Sequence, residues 1–248
     1  MPISMTNCFL IPIYNHHETI AATVQALLPY QLAIIIADDG SDQQTKQVLQ
    51  QLAQQHPLVE VLTLAQNGGK GAAVSAALRL AVERGFSHGL QIDADGQHDV
   101  SDIPKFWQLS AQQPLALVSG APLYDDSMPR GRRIGRQITH FWVNIETLSR
   151  DIRDSMLGLR VYPLAATVSL LDNVKLGQRM DFDIEIMVRL YWQGVPVQFI
   201  STKVIYPVGG RSHFSMLRDN WLISKMHTRL FFGMLWRLPK LLQRKWAA

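Results

Sequence analysis

Residues 32–42 read LAIIIADDGSD. An unbroken apolar run that stops in a polar, glycine-containing turn is the pattern of a strand buried on both faces, as in a parallel sheet. The pattern recurs on either side. NCFLIPIYN (7–15) reads as a first strand ended by Pro12 and a turn, VEVLTLAQN (59–67) as a third, HGLQIDADG (88–96) as a fourth and ALVSGAPLY (116–124) as a fifth. Between them, HETIAATVQALL (17–28), QTKQVLQQLAQQH (44–56) and the Ala-rich 72–84 carry apolar residues at helical spacing. Regular alternation of strand and helix predicts an α/β fold with a doubly wound, mainly parallel sheet flanked by helices. In such sheets ligands bind beyond the carboxyl ends of the strands. The turns IYN, DDGSD, NGGKG and DADGQ all sit there and are expected to meet at one crevice.

After residue 125 the alternation weakens. MPRGRRIGRQ (128–137) reads as a basic loop, ITHFWVNIETLSR (138–150) as a helix, and DSMLGLRVYP (154–163) as a turn followed by extended chain. DFDIEIMVRLYWQG (181–194) reads as a helix with an acidic start and Gly194 as its C-cap. VPVQFISTKVIYP (195–207) reads as a late strand pair or one long strand, and the tail from about 214 as helical until Pro239.

The chain has 248 residues, enough for one large α/β domain with an appendage. Its single cysteine, Cys8, lies in an apolar stretch. One cysteine builds neither a disulfide framework nor a thiolate metal site, so Cys8 reads as a core residue. The N-terminus has no basic segment followed by a long apolar run, so no signal peptide is expected. The formal charge of +4 is unevenly spread: residues 1–209 hold 16 Lys/Arg against 19 Asp/Glu, whereas 210–248 hold 8 Lys/Arg against Asp219 alone.

Three turns carry recognisable chemistry. Asp93-Ala-Asp95 closes the fourth strand; on a continuing strand both side chains share a side, which suits a hard divalent cation bound together with substrate phosphates. Gln97 is a further oxygen donor, and His98 reads as a loop histidine. The same carboxylates also fit a solvated turn leading into a helix near Asp102. Asp38 and Asp39 end the second strand, where a carboxylate can accept from a base or ribose, while Ser41 or Asp42 can cap the next helix. Asn67-Gly68-Gly69-Lys70-Gly71 opens a helix whose glycines admit a phosphate and whose Lys70 adds a point charge. Neither GxxxxGK[ST] nor GxGxxG is present.

In order, IPIYN, ADDGSD, NGGKGAAVSAAL and QIDADGQHD resemble the family 2 glycosyltransferases of the GT-A fold, nearest to the polyprenyl-phosphate sugar synthases related to dolichyl-phosphate mannose synthase. The resemblance covers residues 7–125 strongly. It implies that Pro12, Tyr14, Asp38 and Asp39 hold the nucleotide, with Lys70 nearby. It also implies Mg²⁺ or Mn²⁺ on Asp93 and Asp95, with Asp93 at the donor diphosphate and Gln97 as a further ligand. DSMLGLRVY resembles loosely the family's D-x-x-S-G-x-R stretch, which places Ser155 and Arg160 at the acceptor; Arg133, in the basic stretch 128–137, is a further acceptor candidate. Asp181 or Asp183 is the implied general base if the acceptor is a hydroxyl; a phosphate acceptor needs none. The acidic start equally fits a helix N-terminus complementing its dipole. YPVGGRSHF (206–214) resembles a loop over the donor diphosphate, implying Arg211 as a clamp and His213 at the metal.

The expected protein is thus an inverting, metal-dependent glycosyltransferase with two parts. Residues 1–213 form the catalytic domain, divided into a nucleotide half (1–125) and an acceptor half (126–213), and 214–248 form an amphipathic tail. Basic residues interleaved with Trp and Phe in the tail suit an anionic membrane surface, and equally a helix packed on the domain with a solvated basic face. The expected partners are a UDP- or GDP-sugar and a lipid-linked or lipid-like acceptor, met at the inner face of the cytoplasmic membrane. Nucleic acid is not expected: no recognition motif is present. Two rivals remain, a nucleotidyltransferase acting on a sugar phosphate and a non-catalytic nucleotide or membrane-surface module.

Overall fold

The computed structural model describes residues 5–123, 130–204 and 214–247, apart from the side chains of Arg130, Arg132 and residues 245–247. Its strands are β1 (Asn7–Ile13), β2 (Ala33–Asp38), β3 (Val59–Thr63), β4 (His88–Gln91), β5 (Leu117–Leu123), β6 (Arg160–Pro163) and β7 (Val197–Lys203). The helices are α1 (Ile20–Leu27), α2 (Gln43–Gln55), α3 (Lys70–Glu83), α4 (Ile103–Gln112), α5 (Arg130–Thr147), α6 (Leu164–Asn173), α7 (Phe182–Gln193) and α8 (Met216–Ala247). The strands form one sheet in the order β3-β2-β1-β4-β6-β5-β7. All neighbours are parallel except β6, which runs antiparallel to both β4 and β5. The expected doubly wound, mainly parallel sheet is therefore present.

Side chains alternate through the sheet as strand geometry requires. Cys8 and Leu10 of β1 face a core shared with α3, α6, α7 and α8, whereas Phe9, Ile11 and Ile13 face a second core shared with α1, α2 and α4. Burial pushes the Cys8 thiol up to about 12, which fits a packing role. Chain order reverses beside β1, so the carboxyl ends of β1, β2 and β4 open onto one crevice, the position where this class of sheet binds ligands.

Several local expectations are corrected. Pro12 does not end β1; it pairs with Ala37 beyond Leu10↔Gln91, the last pair with β4, where the strand is bound only on its β2 side. The basic stretch expected as a loop is helical from Arg130, and Arg136 in it donates to the Asp154 carboxylate at 2.6 Å, tying the helix start to the body. α6 carries no polar start signal, since Pro163 precedes it without a side-chain cap. α8 continues through Pro239 to Ala247. A proline there costs about 3 kcal/mol, offset by burial of Leu241 and by Arg244, which donates to the Tyr191 carbonyl at 2.9 Å.

α3 and α7 meet so closely that a Cβ on Gly71 would stand 2.5 Å from Cβ of Phe182. Gly71→Val is expected to destabilise the fold by about 1–3 kcal/mol through overpacking, lowering Tm by roughly 2–10 °C. Thermal unfolding followed by circular dichroism checks this; an unchanged Tm would mean that the two helices are free to separate.

Candidate active site

The crevice is knitted by hydrogen bonds between its turns. Asp42 caps α2 by accepting from Thr45 N at 2.8 Å, and its own N–H donates to Asn15 Oδ1. Asn15, with φ 56°, donates its N–H to Ser41 Oγ. The turn after β1, which carries the half-buried Tyr14, is thereby locked to the turn after β2. Asp39 reaches the other way. Its carboxylate accepts from Gly68 N at 2.7 Å, Gly69 N at 2.8 Å and Asn67 Nδ2 at 2.9 Å. Burial raises the Asp39 carboxyl despite those bonds. The structure thus gives Asp39 a scaffolding part. Asp38 accepts from Ser41 N through Oδ1 and keeps Oδ2 buried without a partner, so it has the spare acceptor at this end of the crevice.

Lys70 is the first residue of α3, and Gly69 before it has φ +100°, a left-handed conformation that a side chain disfavours. This turn aims the Lys70 ammonium between two carboxylates, 2.9 Å from Asp93 Oδ2 and 2.9 Å from Asp183 Oδ2. Burial would lower the Lys70 pKa, but Asp183 and then Asp93 overcome it and hold the ammonium above its ordinary range. Burial would likewise raise the Asp93 carboxyl. Lys70, and then His98 with Nε2 at 3.5 Å, hold it well below the usual carboxylate range instead. The loop histidine of the sequence reading is therefore a buried neighbour of the acidic turn. Space for this cluster comes from Gly158, where a Cβ would lie 2.5 Å from Asp93 Oδ2 and 2.7 Å from Lys70 Nζ.

The carboxylates of Asp93 and Asp95 are not on one strand, because β4 ends at Gln91 and residues 94–96 turn. Asp95 accepts from Gln97 N at 3.0 Å, within its own turn. Among the described residues no group of three or more His, Cys, Asp or Glu converges as a metal centre. The donors are nevertheless of the kind that Mg²⁺ and Mn²⁺ take: the Asp93, Asp95 and Asp183 carboxylates and the Gln97 amide oxygen, with Asp183 Oδ1 buried without a hydrogen bond and 3.9 Å from Arg160 Nη1.

The two expected base residues are separated. Asp183 joins the Lys70–Asp93 cluster. Asp181 turns toward the loop before α7, accepting from Arg179 N at 3.2 Å, and burial raises its carboxyl. Glu185, one turn on, is fully engaged by Gly177 N, Arg189 and Arg229. Arg160 is not placed to touch an acceptor: its side chain is fully buried and donates to the carbonyls of Leu157, Asp183 and Ser155. It is a staple beneath Asp183. Ser155 is buried with its hydroxyl unpartnered, and Arg133 is exposed on α5. Asp154, beside Ser155, would be raised by burial; His140 and Arg136 instead hold it well below the usual range. Arg211 and His213 lie outside the described residues.

Residues 8–167 match the family described as Glycosyl transferase family 2. The chain belongs to that family. The enzyme class expected from the resemblance, a glycosyltransferase, is that of the family. Among curated relatives, an uncharacterized protein of Methanocaldococcus jannaschii is 22% identical over 87% of this chain and 86% of its own length. The dolichyl-phosphate beta-glucosyltransferase ALG5C of Trichomonas vaginalis is 25% identical over 75% of this chain and 60% of its own length. The undecaprenyl-phosphate mannosyltransferase of Micrococcus luteus is 31% identical over 45% of this chain and 46% of its own length, so the chain spans about half of that relative. The glucosyl-3-phosphoglycerate synthase of Mycobacterium tuberculosis, solved with Mn²⁺, UDP and phosphoglyceric acid, superposes with a TM-score of 0.70 at 14% identity, over 93% of this chain and 78% of that one. That likeness shows the GT-A fold.

Lys70→Ala would leave Asp93 and Asp183 facing each other without their shared cation. A loss of about 3 kcal/mol is expected at neutral pH, with partial recovery as pH falls and protonation relieves the repulsion. The parent protein should respond in the opposite sense. Its Asp93 is depressed, so that stabilisation is complete above the ordinary carboxylate range and is lost as pH drops below it. Urea unfolding at neutral and mildly acidic pH separates the two slopes; parallel slopes would mean that the Lys70 bridge does not form.

Proposed function

We propose that the protein is an inverting glycosyltransferase that moves a sugar from a UDP- or GDP-sugar onto a lipid-linked phosphate at the inner face of the cytoplasmic membrane. The observation that carries this reading is the Lys70 ammonium held 2.9 Å from both Asp93 and Asp183, at the mouth where the nucleotide turns meet. A cation fixed at the end of β4 and the start of α3 suits a donor whose leaving group is a diphosphate. Support for the acceptor comes from two relatives, a dolichyl-phosphate beta-glucosyltransferase and an undecaprenyl-phosphate mannosyltransferase.

In this reading Asp38, with its unused oxygen, and Tyr14 hold the nucleoside. Asp93, Asp95 and Gln97 would hold Mg²⁺ or Mn²⁺, which supplies charge neutralisation of the departing diphosphate. Lys70 gives a second positive charge from the protein itself. A phosphate acceptor is already anionic, so its oxygen attacks without surrendering a proton. Asp183 then orients Lys70 rather than acting as base, and Asp181 stands apart from the reacting groups. Arg211 and His213 are proposed to complete the donor side, and Arg133 and Ser155 the acceptor side. Residues 1–213 would do the chemistry, and the helix after residue 214 would meet the membrane. Among the described residues no helix is long and apolar enough to cross a membrane.

A screen of UDP- and GDP-sugars with Mn²⁺ and a polyprenyl phosphate in detergent tests the proposal. One donor should be consumed with transfer to the lipid, and a chelator should abolish it. Equal transfer to the corresponding polyprenol would overturn the phosphate reading. Asp95→Ala should lose about 100-fold in rate, or about 2.7 kcal/mol; turnover at the parent rate would remove the metal from the mechanism.

A further inference from the structure

Beside the Asn67–Lys70 turn, with Gly68 in its wall, lies a second cleft. It has a volume of about 470 Å³ and sits between the loop leading into α7 and the first turns of α8. Five Lys or Arg side chains line it, Lys175, Arg179, Arg218, Lys225 and Arg229, against one carboxylate, Asp181. Two of the five are already engaged by acids behind the wall: Arg229 by Glu185 at 2.5 Å, and Arg179 by Asp219 at 3.6 Å. Lys175, Arg218 and Lys225 have no carboxylate partner among the described residues, and the Lys225 ammonium rests 5.2 Å from the Trp221 ring centroid. Three unmatched cations around an open cleft call for an anion.

The surroundings say what carries it. α8 is apolar on two opposite sides. Met226, Leu230, Met234 and Leu241 are buried in the core, whereas Leu217, Trp221, Phe232 and Trp236 are 89%, 62%, 65% and 87% exposed. The outer positions recur at helical spacing, so they form one stripe. Trp221 belongs to both the stripe and the cleft wall. An anionic pocket occupant beside an exposed apolar stripe has the layout of a phospholipid, charged at the head and apolar beyond it.

We propose that this cleft is a headgroup site for an anionic phospholipid. The phosphate sits among Lys175, Arg218 and Lys225, and Leu217 and Trp221 enter the acyl boundary. The proposal rests on the membrane-surface reading above and adds a site distinct from the transfer crevice. It fixes which end of α8 meets the lipid head and so orients the protein on the bilayer.

Vesicle co-sedimentation tests it, using phosphatidylcholine alone and phosphatidylcholine mixed with phosphatidylglycerol. The parent protein should bind the mixed vesicles at least about tenfold more tightly. The R218Q/K225Q variant should lose about 30-fold, at about 1 kcal/mol for each charge near the surface. K46Q/K105Q, with the same charge change on α2 and α4, should bind as the parent does. Equal binding to both vesicles, retained binding by R218Q/K225Q, or an equal loss in K46Q/K105Q would each overturn the site. Inorganic phosphate should release no more protein than chloride of equal ionic strength; specific release would mean that the cleft takes free phosphate and would overturn the lipid assignment. Donor hydrolysis in R218Q/K225Q should match the parent. A selective loss there would show that cleft and crevice are one site, whereas absence of hydrolysis in every form, with vesicle binding intact, would strike only the transferase reading.

Discussion

The crevice depends on one ammonium. Lys70 begins α3, Asp93 follows β4 and Asp183 lies in the first turn of α7, so a single side chain joins three elements far apart in sequence. Each partner alone would be costly to bury, and truncating one member of such a group leaves an uncompensated charge. The neighbouring sequence serves that contact. Gly69 supplies the left-handed turn, Gly71 lets α3 lie against Phe182, and Gly158 leaves room for the ammonium and the Asp93 carboxylate. Arg160 then fastens the backbone beneath Asp183 by donating to its carbonyl at 2.6 Å.

Much of this was legible in the sequence because strand burial and strand-end turns leave local signals. Runs such as LAIIIAD show that both faces are covered, and polar turns at successive strand ends imply a shared crevice. Other features have no local signal. β6 is only Arg160–Pro163, and nothing in RVYP tells that it enters between β4 and β5 in the antiparallel sense. The start of α5 misleads because Gly131 and Gly135 lower helix propensity in an arginine-rich stretch; the Arg136–Asp154 pair that ties it down is tertiary. Pro239 signals a stop that packing of Leu241 overrides.

The candidate residues divide in the same way. Side-chain type and position identified Lys70 and Asp93 as chemically apt, and the family resemblance added Asp183 as an alternative to Asp181, but only tertiary geometry shows the three in contact. It also shows Asp39 holding the Asn67–Gly69 turn through two backbone N–H groups and the Asn67 amide, and Arg160 donating to backbone carbonyls. An arginine in a motif looks like an anion ligand from sequence; a guanidinium meeting three carbonyls is a structural brace. His98 shows the reverse. As a residue type it is unremarkable in a loop, yet burial beside Asp93 makes it part of the electrostatics of the acidic turn.

For α8, the sequence posed membrane contact and packing on the domain as alternatives; the helix packs on the domain and still leaves an apolar stripe exposed. A 32-residue helix has room for an inner apolar stripe and an outer one, roughly half a turn apart. The inner stripe accounts for why the helix stays on the body; the outer one would be a liability in water without a partner. The turn that connects these regions is short. Gly68 lines the basic cleft, while its N–H, two residues before Lys70, holds Asp39 at the strand-end crevice. The crevice and the cleft beside α8 therefore meet at one hydrogen-bonded loop, yet are charged by different residues. Lys70 is neutralised by built-in carboxylates, whereas Lys175, Arg218 and Lys225 have no carboxylate partner among the described residues. An internally compensated cation suits a site that must release its anion after each turnover. Uncompensated cations suit one that stays engaged.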